Sequence, residues 1–311
     1  YILTTAAQAL GRLPGIRRLP MLLVHGLVLL LFSLAMVALA LVVSITLNDL
    51  VAAMPRYQQN LETLAGTVAD IAGLESPTWD EIVEMTLGSL NLQAITLRVL
   101  GGASSFGLTF FLILIYAGFL MVERRHFATK LAVAFPKGDQ AELTGRILRD
   151  VNSKIGDYLA VKTAVNIILG AISFVILWFM GIDFAVFWAL VIALFNYIPY
   201  AGSFLGVVLP VVLSMAQFGS LGTTAVLGGL LIAAQAYVAN VLEPRMIGRQ
   251  LNISPFVVLL SLAVWSTLWG LPGALLAIPL TAMVAIICNA FPSTRFVAAL
   301  LANDPAQGTG R

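Results

Sequence analysis

The sequence predicts an all-α polytopic membrane protein in which spanning helices are combined with two oppositely oriented re-entrant helical hairpins. Three observations support this fold class. Hydrophobic residues make up 60% of the 311 residues, charged residues only 10%, and the mean hydropathy is +0.97, as expected for a chain in a bilayer. Several apolar runs are long enough to cross a membrane. Two of them are broken at FNYIPYAGS (195–203) and LWGLPGA (268–274), where irregular backbone needs protein or water as its hydrogen-bond partner.

The composition also argues against other classes of protein. A net charge of +2 with dispersed basic residues gives no stripe for nucleic acid. Cys288 is the single cysteine, and the two histidines form no cluster with metal-ligand spacing. The sequence contains no H-E-x-x-H, G-x-S-x-G or phosphate-binding G-x-x-x-x-G-K-[ST] motif. We therefore expect no catalysis, no cofactor, no metal site and no nucleic-acid partner.

The N-terminal part is predicted to be a scaffold. Residues 1–20 are interpreted as the end of a truncated helix and a cytoplasmic linker, and residues 21–122 as two spanning helices. The run 21–47 exceeds the ~20 residues that a spanning helix needs, and three arginines before it place its start in the cytoplasm. Residues 48–100 carry seven carboxylates against two arginines, which predicts an exterior segment.

Residues 123–163 are predicted to form a basic cytoplasmic connector. They carry eight lysines or arginines against five acidic residues, seven of the eight cations lying in the part before Lys162. The apolar residues recur at helical spacing, as in an amphipathic helix. Such a helix can lie along the inner leaflet, pack on a neighbour or simply link two spans.

Residues 164–291 are predicted to be the transport unit. A span over 164–180 leads outward, and the 35-residue stretch 184–218 is too long for one span. If it crossed once, Arg245 and Arg249 would lie outside, against the positive-inside tendency. Its first arm, 184–195, covers roughly 18 Å of a ~30 Å core. A re-entrant hairpin over 184–218 resolves both conflicts.

The same reasoning predicts a second hairpin over 255–289 that enters from the cytoplasm, followed by a cytoplasmic tail over 292–311. A span plus a hairpin then occurs twice with reversed orientation, which makes an inverted repeat. The spacings agree: Asn166 precedes Pro199 by 33 residues and Asn240 precedes Pro272 by 32.

The candidate functional residues lie at the breaks and on the span between them. Polar side chains and irregular backbone inside a membrane are costly and commonly functional. Glu243 is a candidate for proton or cation coupling, with an ion pair to Arg245 or Arg249 as the alternative. The candidates for substrate binding are Asn196, Tyr197, Pro199, Tyr200, Gly202, Ser203, Gln235 and Asn240; for ion coupling, Glu243 and Asp183; for gates or hinges, Gly248, Pro255, Trp269, Gly270, Pro272, Gly273 and Pro279.

The segments NYIPYAGSFLG, EPRMIGRQLNISPFVVLLSL and WGLPGALLAIPL resemble, in order and spacing, the autoinducer-2 exporter family of bacterial inner-membrane proteins. The resemblance covers nearly the whole chain. Its motif positions fall on Ile198, Pro199, Tyr200 and Gly202; on Pro244, Arg245 and Gly248; and on Ser254-Pro255, Trp269-Gly270, Gly273, Ala277 and Pro279. It implies export of small signalling molecules, sodium or lithium/proton antiport in some members, homo-oligomers with pentamers as one form, and about two further helices before Tyr1.

Together, these observations predict a gradient-driven secondary transporter of a small polar molecule, with an elevator-like movement of the transport unit. The cargo is expected between the two hairpin tips. Three alternatives remain: a sodium(lithium)/proton antiporter, a non-transporting membrane scaffold and an oligomeric pore. The expected partners are membrane lipid, the substrate, a coupling proton or sodium ion, and further copies of the chain.

Overall fold

The computed structural model describes residues 7, 20–72, 110–120, 123, 130, 138–247 and 252–304. Within these residues the chain is helical and contains no strand. The helices are α1 (Met21–Ala72), α2 (Phe110–Leu120), α3 (Gly138–Phe179), α4 (Ala185–Phe195), α5 (Ala201–Phe218), α6 (Leu221–Tyr237), α7 (Glu243–Ile247), α8 (Pro255–Trp269), α9 (Leu271–Ala290) and α10 (Arg295–Leu301). A π-helical turn, Val238–Leu242, joins α6 to α7, and a 3₁₀ turn, Pro292–Thr294, precedes α10.

The described helices confirm an all-helical membrane protein. Five stretches are long and apolar enough to cross a bilayer: Leu23–Thr67, Leu143–Phe179, Ala201–Phe218, Leu221–Met246 and Leu271–Ala290. Three shorter apolar helices are α2, α4 and α8. Re-entry of the broken segments and the inverted repeat stay predictions.

Two helices run through boundaries at which the sequence suggested a change of segment. Helix α1 continues 25 residues past position 47 and contains Pro55. Helix α3 unites the C-terminal part of the basic connector with the span that follows it. Charge and hydropathy locate the membrane surface along a helix but do not end it, since Glu, Gln, Lys, Arg and Leu are all good helix formers. Residues 73–109, which include most of the acidic segment, lie outside the described residues.

Helix α3 is the centre of the packing. Its C-terminal half contributes Val165, Leu169 and Leu177 to an apolar cluster shared with α1, α4, α5 and α6. Nearer its middle, Ile155 and Leu159 contribute to a second cluster, which packs against α9. One helix therefore connects the two broken segments of the chain.

Each broken segment is flanked by an antiparallel pair of helices. In the first pair, Gly206 of α5 lies against Ile192 of α4: a Cβ added to Gly206 would be 3.5 Å from the Ile192 Cα. In the second pair, the Trp265 Nε1 of α8 donates to the Thr281 Oγ1 of α9 at 3.0 Å. These contacts join residues 14 and 16 positions apart, so the chain reverses at both breaks.

Candidate substrate site at the first broken segment

The backbone of the first break is strained. Helix α4 ends at Phe195, and Tyr200, just before α5, has φ 59° and ψ −61°. The Ala201 N–H donates to the Pro199 carbonyl at 2.6 Å, which makes Tyr200 the centre of a γ-turn of the rare strained type. A positive φ is an outlier for a bulky residue. Such strain persists only where the surrounding packing maintains it, and it is found most often at ligand sites and switch regions.

Gly202 brings α4 and α5 into direct backbone contact. A Cβ at this position would lie 1.7 Å from the Phe195 carbonyl oxygen. Only glycine fits such an approach. This tight junction holds the polar residues of the break against α3.

Those polar residues form a buried hydrogen-bonded cluster. Asn196 is 6% exposed and its Nδ2 donates to the Asn166 Oδ1 of α3 at 2.8 Å. The Ser203 Oγ of α5 donates to the Asn196 Oδ1 at 3.1 Å. Asn166 is only 2% exposed. The cluster thus joins α3, the end of α4 and the start of α5 through amides that lipid could not satisfy.

Two buried amide donors at this cluster have no hydrogen-bond partner among the described residues: the Asn166 Nδ2 and the Gln235 Nε2 of α6. Gly206 lies one helical turn after Ser203, and a Cβ there would be 3.7 Å from the Gln235 Nε2. The absence of a side chain at Gly206 therefore lets the Gln235 amide lie close to the backbone of α5. An unpaired buried donor costs about 1–3 kcal/mol, so both amides are suited to an oxygen acceptor on a ligand.

A second set of polar contacts follows along α3. The Thr163 Oγ1 and the Tyr197 Oη are 2.7 Å apart. One residue earlier, the Lys162 Nζ donates to the Glu243 Oε1 at 2.6 Å, with side chains 9% and 25% exposed. Lys162 and Asn166 are four residues apart and lie on one face of α3. The ion pair is therefore only about 6 Å along the helix axis from the amide cluster.

The partner of Glu243 differs from the one suggested by sequence. Arg245 is the nearest cation along the chain, but the ion pair is made with Lys162, 81 residues earlier. Arg249 lies outside the described residues. Glu243 directly follows the π-helical turn Val238–Leu242, an irregularity that is common at functional sites.

Other candidate residues lie away from this cluster. Tyr200 is 57% exposed. Asn240 is also exposed, and its Nδ2 donates to the Ala236 carbonyl of its own helix at 2.9 Å. Asp183 lies at the far end of α3, where its carboxylate accepts from Arg56 and from the Tyr57 Oη of α1, the latter at 2.8 Å. The structure thus separates the two acidic candidates, Asp183 and Glu243, along the length of α3.

The second broken segment has different surroundings. Trp269, Gly270 and Pro272 are exposed, and Gly270 has φ +66°. Gly273 repeats the close approach of the first break, since a Cβ there would lie 1.8 Å from the Trp265 carbonyl oxygen. Asn196 of the first break is buried against α3, whereas these residues of the second break are exposed. A cargo position between the two tips stays a prediction.

The remaining gate and hinge candidates lie within helices or outside the described residues, and their role stays a prediction. Pro255 is the first residue of α8, behind an N-cap in which the Ser254 Oγ accepts from the Val257 N–H at 3.3 Å. Pro279 is buried within α9. Gly248 lies outside the described residues.

Sequence reasoning missed the residues of α3 that complete the cluster. Asn166 entered only through its spacing to Pro199, and Lys162 and Thr163 were assigned to the connector. A signal was present: three polar residues at positions i, i+1 and i+4 stand where an amphipathic run becomes apolar. Which residues they would face depends on packing between helices far apart in sequence.

Similarity to known proteins identifies the family of this chain. The sequence model described as AI-2E family transporter matches residues 1–293. The chain belongs to this family. Proteins similar to it include the AI-2 transport protein TqsA of Escherichia coli K12, which is 29% identical over 291 residues, 92% of this chain and 82% of TqsA.

Two further relatives are named as transport proteins, and neither name gives a substrate. YhhT of Escherichia coli K12 is 28% identical over 260 residues, 83% of this chain and 73% of YhhT. A protein of Borreliella burgdorferi is 36% identical over 193 residues, 62% of this chain but only 52% of that relative. The resemblance noted in the sequence motifs is thereby confirmed, and the family is one of transport proteins.

Proposed function

We propose that this protein is a gradient-driven secondary transporter of the bacterial inner membrane that exports a small polar signalling molecule or metabolite of the autoinducer-2 type. One observation carries the proposal: beside a strained break in a membrane helix, two buried amide donors, on Asn166 and Gln235, have no hydrogen-bond partner in the part of the chain that the structure describes. The name of TqsA, an AI-2 transport protein, supports the type of substrate.

The chemistry of the cluster favours a neutral ligand with oxygen acceptors. Each free N–H can donate to a hydroxyl or carbonyl oxygen and thereby recover about 1–3 kcal/mol of lost solvation. The nearby Lys162 already has Glu243 as its counter-ion, so no unpaired cation among these residues would compensate an anionic ligand. A small molecule with several hydroxyl or carbonyl groups fits this arrangement.

The short helices favour re-entrant hairpins as the moving parts. Helix α4 has 11 residues and α8 has 15, which give about 17 Å and 23 Å, less than the ~30 Å of a bilayer core. Each antiparallel pair can therefore enter the membrane and return to the same side. We further propose that the protein is a homo-oligomer in which residues 164–291 move as a unit relative to the N-terminal helices.

Replacing Gln235 tests the site. In reconstituted vesicles, Gln235→Leu should lower the flux of autoinducer-2 or a related polyhydroxylated compound about tenfold, because the ligand loses one hydrogen bond worth ~1–2 kcal/mol. Asn240→Leu is the matched control: this amide is on the same helical segment but is exposed and bonded to its own helix, so the flux should change less than about twofold. Equal fluxes of Gln235→Leu and the native protein over a substrate panel would refute the site.

The Lys162–Glu243 ion pair supports a second candidate function, sodium(lithium)/proton antiport. A carboxylate paired with a lysine inside a membrane protein can exchange its counter-ion for a proton or a metal cation. Vesicles containing the protein and a pH-sensitive dye would then show proton movement when sodium or lithium is added, and Glu243→Gln would abolish it. A dye signal equal to that of empty vesicles would exclude this alternative.

A further inference from the structure

Three polar residues on one turn of α1 contact both connections at one end of the helical core. Arg56, Tyr57 and Asn60 lie within five positions of each other. The connections that they contact are the turn between α3 and α4, which contains Asp183, and the turn between α5 and α6, which contains Gly219. We call this set of contacts the α1 clamp.

The first half of the α1 clamp is built around Asp183. Its carboxylate accepts from Arg56 and from the Tyr57 Oη, the latter at 2.8 Å. Its backbone N–H donates to the Gln217 Oε1 at 2.8 Å, and the Gln217 Nε2 donates to the Gly181 carbonyl at 2.8 Å. Gln217 thus links the two turns by hydrogen bonds, and α1 binds them through the Asp183 carboxylate.

The second half is a cap on the end of α5 supplied by another helix. The Asn60 Nδ2 donates to the carbonyls of Ala216 at 3.1 Å and Gln217 at 2.5 Å. These carbonyls are among the last four of α5, which have no partner within their own helix. A Cβ on Gly219 would lie 3.6 Å from the Asn60 Cβ, so the backbones of the two segments are in close contact.

The rest of α1 makes little contact with the core. In the most apolar 18-residue stretch of α1 only 6% of the residues are buried, and the core helices that α1 contacts most are α4 and α5. Tyr57 is 4% exposed and belongs to the apolar cluster, so the contacts of the clamp that water can replace are those of Arg56 and Asn60. The Arg56 and Asp183 side chains are 56% and 27% exposed, and ion pairs of this exposure are weak.

We propose that the α1 clamp is the releasable contact between the static N-terminal helices and the transport unit, closed in the conformation described here and open at another stage of the cycle. The inference rests on the proposed transport function. If α1 is static and the core moves along it, Asp183 must leave Arg56 and Tyr57, and the end of α5 must leave Asn60. The turn with Asp183 directly follows α3, and the Asn166 cluster lies on α3. Opening the clamp and displacing the substrate site are therefore parts of the same movement of α3.

A reversible cross-link tests the inference. The variant Asn60→Cys/Gly219→Cys, in a Cys288→Ala background that removes the single native thiol, places two sulfur atoms on Cβ positions 3.6 Å apart, within the 3.5–4.5 Å of natural disulfides. After oxidation, flux in vesicles should fall at least tenfold relative to the reduced protein and should return with a reductant. Full flux in the cross-linked protein would overturn the proposal, and failure of the two thiols to cross-link would refute the contact itself.

A matched control keeps the cross-link inside the transport unit. The Ser214 Oγ of α5 donates to the Thr224 Oγ1 of α6 at 3.0 Å, and oxidation of Ser214→Cys/Thr224→Cys in the same background should leave flux within about twofold of the reduced protein. Loss of flux in both pairs would show that oxidation itself is harmful and would remove the support for a releasable clamp. Absence of flux in the reduced native protein for every substrate would instead count against the proposed function.

A single thiol gives a second test that avoids a side chain at Gly219, where φ is +56°. In Asn60→Cys with Cys288→Ala, the thiol should be protected from a water-soluble maleimide at rest and should react at least fivefold faster during turnover with substrate. An unchanged rate in a protein that does transport would overturn the proposal while leaving the transport function intact.

Discussion

Replacing Gly202 by alanine should push the end of α4 and the start of α5 apart at the first broken segment. The added Cβ would lie 1.7 Å from the Phe195 carbonyl oxygen, whereas real Cβ atoms essentially never approach closer than 3.0 Å. The start of α5 and the end of α4 must therefore part by at least about 1.3 Å, and Phe195 cannot yield as a flexible side chain would, because the contact is with its backbone. That displacement stretches the 3.1 Å bond between the Gly202 N–H and the Ile198 carbonyl and the 3.1 Å bond between Ser203 and Asn196.

The expected cost is the overpacking of a tight contact, about 1–3 kcal/mol, plus a weakened hydrogen bond of about 1 kcal/mol. Gly202→Ala should thus lower the free energy of unfolding by about 3 kcal/mol and abolish flux. Gly229→Ala is the matched control: this glycine is within α6 with nothing within 4 Å of an added Cβ, and alanine should stabilise the helix by up to about 1 kcal/mol. Thermal unfolding in detergent and flux in vesicles measure both variants; equal unfolding temperatures, with normal flux in Gly202→Ala, would refute the reasoning.

Two further predictions concern polar contacts between helices. Lys162→Met alone and Glu243→Gln alone should each lower the free energy of unfolding by about 3 kcal/mol, because each leaves a largely buried group without its partner. The double variant should lower the free energy of unfolding by less than the sum of the two single variants. Strictly additive losses, measured by unfolding in detergent, would contradict the pairing. Trp265→Phe and Thr281→Val should each cost about 1 kcal/mol through the 3.0 Å bond between their side chains, and a double-mutant cycle without coupling would show that the bond contributes nothing.

The sequence was sufficient to predict the helical class, the membrane environment and the positions of both breaks. These features depend on properties of single segments: apolar runs, helix formers, and Gly and Pro that interrupt them. The backbone of each break follows from local chemistry as well, because Gly202 and Gly273 permit an approach that any other residue would block.

The hydrogen-bond and ion-pair partners that are far apart in the sequence could not be predicted in this way. Lys162 and Glu243 are 81 residues apart, and Arg56 and Asp183 are 127 apart. A cation near a carboxylate along the chain, such as Arg245 beside Glu243, is the natural choice from sequence, but the packing of α3 decides otherwise. Likewise, the ends of α1 and α3 could not be placed, because solvent-facing turns of a long helix have the composition of an amphipathic linker.

The length of α3 has a mechanical consequence. An unbroken helix of 42 residues is a rod of about 63 Å, and its hydrogen-bond ladder resists bending along the whole of that length. A tilt of about 10° around its centre would therefore carry each end some 5 Å sideways in opposite directions. A lipid or protein contact that displaces the N-terminal end of α3 would therefore also displace the turn with Asp183, with no need for a chain of side-chain contacts between them.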